Sequence, residues 1–491
     1  MAQSLGLALR SSRRALPSLY RRSFSVYSRQ VAVGQGDAAT STTAEVENRS
    51  LEWELNHWKA SKKQESKRAS LRLPDSYLQQ LEQTIAQVLP VKLQDSYLKW
   101  EDNYGPLAKD ERIHYVQLRD ACKCPTCVDQ HSKQRNFRTT DIPSWIQPRT
   151  LEWKDGSLTV QWHNDIKSYP PTHTSTYSID DLRALTMGIK HQDMQRIDRN
   201  RRFWTRQIMR KRQHWISYDD YMNDELKFAV AMRSLAVYGI LFVKDIPESR
   251  EMVEKIATRM GPLRNTFYGP TWDVRSVPKA KNVAYTNQFL GFHMDLLYMN
   301  EPPGYQLLHC LQNSCEGGES LFSDALYAAY VVRLVAPEYY KALCSFRLGY
   351  EYRHENHVYS NRWPVVQASW DARAQPYRVN YSPPFQSPLY LDQRDQENFE
   401  KFKDALEFFT RIMENKKSSF ELKLNPGECV IFENRRIVHA RRQFNTESGH
   451  RWLAGAYVDD DAVRSTIHVC QKKYPSAFPP TRGPSKEPES E

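Results

Sequence analysis

From Gly261 onward, apolar and aromatic residues come in short runs, each broken within a few positions by Pro or Gly. Runs this short are poor material for long helices but suit strands that fold back on one another. The punctuation is that of a β-barrel or a double-sheet jelly roll. Upstream the pattern differs. Residues 222–243 read as a helix leading into a strand at 240–244. Ser249 is then placed to cap a helix in which Met252, Val253, Ile256, Ala257 and Met260 keep helical spacing until Gly261 stops it. The predicted fold is mostly β with flanking helices.

At 491 residues the chain has room for two or three domains. Its 27 Tyr, 19 Phe and 12 Trp exclude a wholly disordered or collagen-like polymer. Apolar runs such as 238–243 stop far short of the ~20 residues a membrane span needs, so no membrane partner is expected. A net charge of +11 could suit nucleic acid, but six of the excess cations, Arg10, Arg13, Arg14, Arg21, Arg22 and Arg29, precede the first acid, Asp37. That Arg- and Ser-rich, acid-free leader has the composition of an organelle transit peptide, and Arg22-Ser23-Phe24-Ser25 resembles a mitochondrial processing site. Residues 1–30 therefore read as a transit peptide with the mitochondrial matrix as destination.

Residues 31–94 read as a polar linker holding one amphipathic helix, 75–88, with Leu78, Leu81, Ile85 and Val88 on one face. The basic stretch 196–212 reads as a solvated helix between domains, not as a nucleic-acid contact. The Pro-, Ser- and Glu-rich residues 473–491 read as a disordered tail.

Eight cysteines are too few and too scattered for a disulfide scaffold. Three of them, Cys122, Cys124 and Cys127, fall within six residues. Thiolates at this spacing bind zinc, and a closed tetrahedral site needs a fourth ligand. His131, His163 and His173 all follow, and spacing does not choose among them. Strand-like alternation at 157–162 lies between the thiols and His173, so a ligated metal could tie a small sheet to a cysteine loop.

In the second half, His293-Met-Asp295 places two ligand types at positions that share a face of an extended strand. Asn425-Pro-Gly427 gives a turn, 429–432 a buried strand, and His439 lies just beyond. Two histidines and one carboxylate are the donor set of non-haem Fe(II) oxygenases, which leave coordination positions open. Arg451, twelve residues after His439, could clamp a carboxylate through a bidentate, charge-assisted pair.

Several stretches resemble the γ-butyrobetaine dioxygenase and trimethyllysine dioxygenase family. They are Phe267-Tyr-Gly-Pro-Thr-Trp272, Asn282-Val-Ala-Tyr285, Phe292-His-Met-Asp295, Pro302-Pro-Gly-Tyr-Gln-Leu-Leu-His309-Cys310, Val438-His-Ala-Arg-Arg442 and Arg451-Trp-Leu-Ala-Gly-Ala-Tyr457. Leu118-Arg-Asp-Ala-Cys-Lys-Cys-Pro-Thr-Cys127 extends the match, which spans roughly residues 95–470. The resemblance implies a double-stranded β-helix (jelly-roll) oxygenase domain at 215–472, behind a small zinc-binding α+β domain at 95–190. It implies iron on His293, Asp295 and His439, and 2-oxoglutarate on Arg451. It also implies zinc on Cys122, Cys124, Cys127 and, as the better match, His173. Ascorbate is the expected reductant.

The family's aromatic cage corresponds to Tyr268, Trp272, Tyr285 and Tyr457. A quaternary ammonium has no N–H to donate, so ring faces are the natural way to hold it. Asn282 suits the carboxylate of γ-butyrobetaine, but where that branch offers another carboxylate-binding Asn this chain has Ser382-Pro-Pro384. The expected reaction is hydroxylation of a small trimethylammonium substrate with O2 and 2-oxoglutarate, with γ-butyrobetaine converted to L-carnitine in carnitine biosynthesis. The alternatives are trimethyllysine or another betaine or amino acid and, remotely, a non-enzymatic zinc-containing nucleic-acid-binding protein. Homodimerisation is left open.

Overall fold

A computed structural model describes residues 53, 56–60, 72–86, 88–89, 91–101, 110–187, 201–275, 286–368, 375–391 and 393–479. The leader at 1–30 and residues 480–491 of the tail lie outside the described residues. The chain divides into two compact units, Met1–Met187 and Gly188–Glu491. No helix of the described residues is long and apolar enough to cross a membrane.

The first unit holds two three-stranded antiparallel sheets, Val91–Leu93 with Tyr97–Trp100 and Arg112–His114, and Gln147–Lys154 with Ser157–His163 and Thr174–Ser178. The strand Ser157–His163 buries alternate residues, which is the expected half-buried pattern. The helix assigned to the linker runs over Asp75–Ile85, shorter than expected. It is no linker element. Ile85, Leu89, Val91 and Leu93 join the core built on Trp100, Tyr115 and Leu118, because the apolar stripe needs a surface to cover.

The second unit is built on two sheets. The strands of these two sheets are β1 (Trp215–Ser217), β2 (Ile240–Lys244), β3 (Thr271–Val274), β4 (Leu290–His293), β5 (Tyr305–Asn313), β6 (Ser320–Asp324), β7 (Phe420–Leu422), β8 (Cys429–Glu433), β9 (Ile437–Arg441) and β10 (Arg451–Val458), and two hairpin pairs, Arg347–His354 with His357–Pro364 and Val366–Ala368 with Pro376–Val379, lie outside them. One sheet has the order β1-β2-β8-β5-β10-β3 and the other β4-β9-β6-β7. Strands β6, β8 and β9 are buried at every residue, which explains why 429–432 reads as an unbroken apolar run and not as alternation.

Local departures have local causes. Residues 222–243 take in the end of one helix, Tyr218–Asn223, and the whole of a second, Glu225–Tyr238, separated by Asp224, whose side chain caps the second. The helix expected to begin at Ser249 starts at Met252 and takes no side-chain cap; the Ser249 hydroxyl accepts instead from the Glu251 N–H. The basic stretch does not lie free in solvent, because Trp204 and Met209 are buried in the core of this unit and Arg201 pairs with Glu433 at 2.6 Å. The start of the tail also packs: Pro475–Ala477 forms a 3-10 turn that lays Ala477 and Phe478 against the core.

Candidate active site

The two sheets of the second unit flank a cleft. His293 ends β4 and His439 sits in β9, in direct register across the β4–β9 pair, with ring centroids 4.1 Å apart. Asp295 is not on the strand. The strand stops at His293, and Asp295 lies in the turn just after it, so the simple i, i+2 picture fails there. The turn is held in place by Asn434, whose Oδ1 accepts from the Asp295 N–H at 2.9 Å while its Nδ2 donates to the Asp295 carbonyl at 3.0 Å. Ligand atoms of His293, Asp295 and His439 all come within 4.8 Å of one another.

The protonation pattern suits a divalent cation. A carbonyl can only accept, so the 2.9 Å contact of His293 Nδ1 with the Gly291 oxygen puts the proton on Nδ1 and leaves the Nε2 lone pair free. Nε2 faces Asp295 Oδ1 at 3.5 Å. Burial pushes His439 down, to about 3, so its ring is neutral at pH 7. Burial by itself would raise the Asp295 carboxyl, but the close approach of His293 and His439 and the hydrogen bond from Tyr457 hold it below the usual carboxylate range.

Arg451 lines the same cleft and is buried. Its Nε donates to the Gly318 carbonyl at 3.4 Å, and no carboxylate lies within ion-pair distance among the described residues. Burial lowers its guanidinium, to about 10, which leaves it charged at neutral pH. A buried charge without a counter-charge is costly, and an anionic ligand would resolve it.

Tyr268, Trp272 and Tyr457 all line the cleft, and Trp272 stacks on Tyr457 at 3.9 Å. Asn282 and Tyr285 lie outside the described residues. Ser382 is buried and is not among the residues lining the cleft. The physical reason is the Pro pair: Pro383–Phe385 forms a 3-10 turn that keeps Ser382 inside the protein, and Phe385 reaches the cleft in its place.

Sequence reading also missed Gln306, Ser320 and Arg441, which line the cleft. Gln306 and Arg441 lie inside the quoted motifs, so their positions were visible although their orientation was not. Ser320 carried no signal of its own; it enters through its pairing with Arg441 across β6 and β9.

In the first unit the thiols of Cys122, Cys124 and Cys127 lie 3.7, 3.3 and 3.4 Å from His173 Nε2. Ligand atoms of all four residues fall within 4.8 Å of one another, and neither His131 nor His163 belongs to that group. His173 Nδ1 contacts Asp165 Oδ2 at 2.6 Å, and Arg119 Nε donates to the other oxygen at 2.6 Å. A carboxylate behind a histidine in this way fixes the tautomer that offers Nε2 to a metal.

Comparison with known proteins gives the chain's family. Residues 206–457 match the Taurine catabolism dioxygenase TauD, TfdA family, and residues 85–183 match the Gamma-butyrobetaine hydroxylase-like, N-terminal family. The chain belongs to the TauD/TfdA dioxygenase family. Dioxygenase str8 of Strobilurus tenacellus is 34% identical over 74% of this chain and 86% of that protein. The mitochondrial trimethyllysine dioxygenase of Bos taurus is 28% identical over 73% of this chain and 82% of its own length. The γ-butyrobetaine dioxygenase of Pseudomonas sp. (strain AK-1) is 29% identical over 73% and 91%. The family and these relatives make the chain a 2-oxoglutarate-dependent dioxygenase of the γ-butyrobetaine and trimethyllysine type.

Proposed function

We propose that this dioxygenase hydroxylates a small trimethylammonium compound, with γ-butyrobetaine going to L-carnitine as the leading reaction. The observation that carries the proposal is that one cleft is lined by the His293, Asp295 and His439 donor set, by the buried Arg451 and by the faces of Tyr268, Trp272 and Tyr457. His293, Asp295 and His439 would hold Fe(II). The chemistry such a metal supplies when bound is activation of dioxygen: one oxygen atom enters a substrate C–H bond, the other enters succinate, and 2-oxoglutarate releases CO2.

The chain supplies geometry. Arg451 would take the far carboxylate of 2-oxoglutarate by a charge-assisted pair. The aromatic faces would hold the trimethylammonium group by cation–π attraction, worth up to about 2 kcal/mol or more in a desolvated site. Buried walls exclude water from the reacting centre. Ascorbate is the proposed reductant for maintaining Fe(II). The Arg-rich leader supports import into mitochondria.

A second reading changes the substrate only. With Phe385 in the cleft and Ser382 turned away from it, this loop does not supply the further carboxylate-binding Asn of the γ-butyrobetaine branch, which keeps trimethyllysine or another amine as the alternative. Fe(II)-reconstituted protein given 2-oxoglutarate and oxygen separates the readings. Succinate matched by carnitine would support the first. Succinate formed only with trimethyllysine would select the second. No succinate with any trimethylated amine, at the level given by H439A, would defeat both.

Cys122, Cys124, Cys127 and His173 are proposed as a structural zinc site that reinforces the small core of the first unit. Asp165→Ala is then expected to weaken zinc affinity roughly 10–100-fold, as loss of a carboxylate behind a ligand histidine does. Competition with a chromogenic chelator measures this, and unchanged affinity would count against the site.

A further inference from the structure

The aromatic wall and the metal-binding carboxylate are joined by a single hydrogen bond. Tyr457 Oη donates to Asp295 Oδ2 at 2.6 Å, while Asp295 Oδ1 faces His293 Nε2 at 3.5 Å. The two carboxylate oxygens therefore have different partners. We propose that the Tyr457 hydroxyl is a positioning residue that occupies Oδ2 and restricts Asp295 to one-oxygen ligation through Oδ1, so that the ring forming the substrate wall also sets the metal ligand. This rests on the iron reading of the triad.

Three features support the role. First, Tyr457 is buried, and its hydroxyl is matched to a carboxylate oxygen that can only accept. Second, the ring has little freedom to swing. It stacks on Trp272 at 3.9 Å, and Trp272 lies flat across β10 only because residue 455 is glycine: a Cβ there would sit 2.6 Å from Trp272 Cζ2. Third, the Asp295 main chain is already clipped by Asn434 on both its N–H and its carbonyl. Asn434 fixes the backbone, which leaves carboxylate rotation as the remaining freedom, and Tyr457 is placed to remove it.

A carboxylate that rotates freely can offer both oxygens and fill a position that cosubstrate or dioxygen needs. The Trp272–Tyr457 stack would thus serve two ends. Its outer faces meet the substrate, and its hydroxyl meets the ligand. Displacing the stack should disturb the metal site even when no metal ligand is changed.

The test compares Y457F with W272L. Y457F keeps the aromatic face and loses the hydroxyl, so KM for the trimethylated substrate should change less than about threefold. Affinity for Co(II), titrated with the Cys122, Cys124, Cys127 and His173 site already filled with Zn(II) and followed by visible absorption without any turnover, should fall about 10–100-fold, the usual effect of removing a hydrogen bond behind a metal ligand. W272L keeps the hydroxyl and removes a face, so substrate KM should rise while Co(II) affinity falls less than in Y457F. Thermal melts of both variants show whether either has lost its fold; should Y457F prove unfolded, Y457L, which has no hydrogen-bond donor to offer Asp295, replaces it in the same titration. Equal Co(II) affinity and an unchanged Co(II) spectrum in the hydroxyl-free variant would overturn the proposal. If the unsubstituted protein binds no Co(II), the iron reading itself fails, a result distinct from the first.

Discussion

Arg451→Met is expected to raise the half-saturating concentration of 2-oxoglutarate about a hundredfold or more, with substrate KM changed far less. Arg451 is buried, points into the cleft, and has no carboxylate within ion-pair distance among the described residues. Truncating one partner of a buried, hydrogen-bonded charge pair costs about 2–5 kcal/mol, and each 1.4 kcal/mol is tenfold in affinity. Methionine preserves the length and apolar stem of the side chain, so the loss reports the guanidinium and not a cavity. Arg441 would not replace it. Its Nη2 donates to the Thr286 and Gln288 carbonyls at 2.8 and 2.9 Å, which ties that group to the loop. Calorimetric titration of 2-oxoglutarate in the presence of Mn(II) and without oxygen reads the effect directly. Affinity within threefold of the unsubstituted protein would remove Arg451 from the proposed cosubstrate site.

The second large effect concerns stability. Asp324→Asn should destabilise the second unit by about 3–5 kcal/mol, because it leaves the Arg436 charge buried without compensation. Both side chains are fully buried, with Arg436 Nη2 3.0 Å and Nε 3.3 Å from the two carboxylate oxygens. Arg436 also donates to the Val237 and Arg202 carbonyls at 3.0 and 2.8 Å. Asp324 accepts from the Leu326 and Tyr327 N–H groups at the start of the helix Ala325–Val335, and from the Trp204 N–H. One carboxylate thus joins the end of β6, a helix cap, the stretch before Arg206–Arg212 and the turn between β8 and β9. That turn carries Asn434, and β9 carries His439, so the pair underlies the geometry of the candidate iron site. At about 2–4 °C per kcal/mol for a unit of this size, the melting temperature should fall by roughly 10 °C. Differential scanning calorimetry checks this, and a shift under about 2 °C would show that the pair is better solvated than its burial implies.

Much of the architecture was legible because it is written in short-range pattern. The Pro and Gly punctuation after Gly261 corresponds to the strands β3 to β10, and alternation at 157–162 to Ser157–His163. Misreadings fell where a tertiary surface outweighed a local signal. The helix Asp75–Ile85 looked like a linker element because its stripe is short, yet that stripe has a core to cover. Residues 201–212 looked solvated because seven Arg dominate 196–212, while Trp204 and Met209 anchor the stretch. Ser382 was chosen for its hydroxyl, but the following Pro pair decides which way the loop turns and brings Phe385 forward.

Residue chemistry and order, which a sequence contains in full, determined the candidate ligand types and the likeness to a dioxygenase family. Tertiary structure alone brought His173, already the better family match, against the three thiols, placed Asp295 in a turn, left Arg451 with no acidic partner among the described residues and set Tyr457 against Asp295. The reason is separation along the chain. Tyr457 and Asp295 stand 162 residues apart, and His173 and Cys122 stand 51 apart. Periodicity reports which side of its own element a residue occupies; only the packing of elements brings distant side chains within bonding distance.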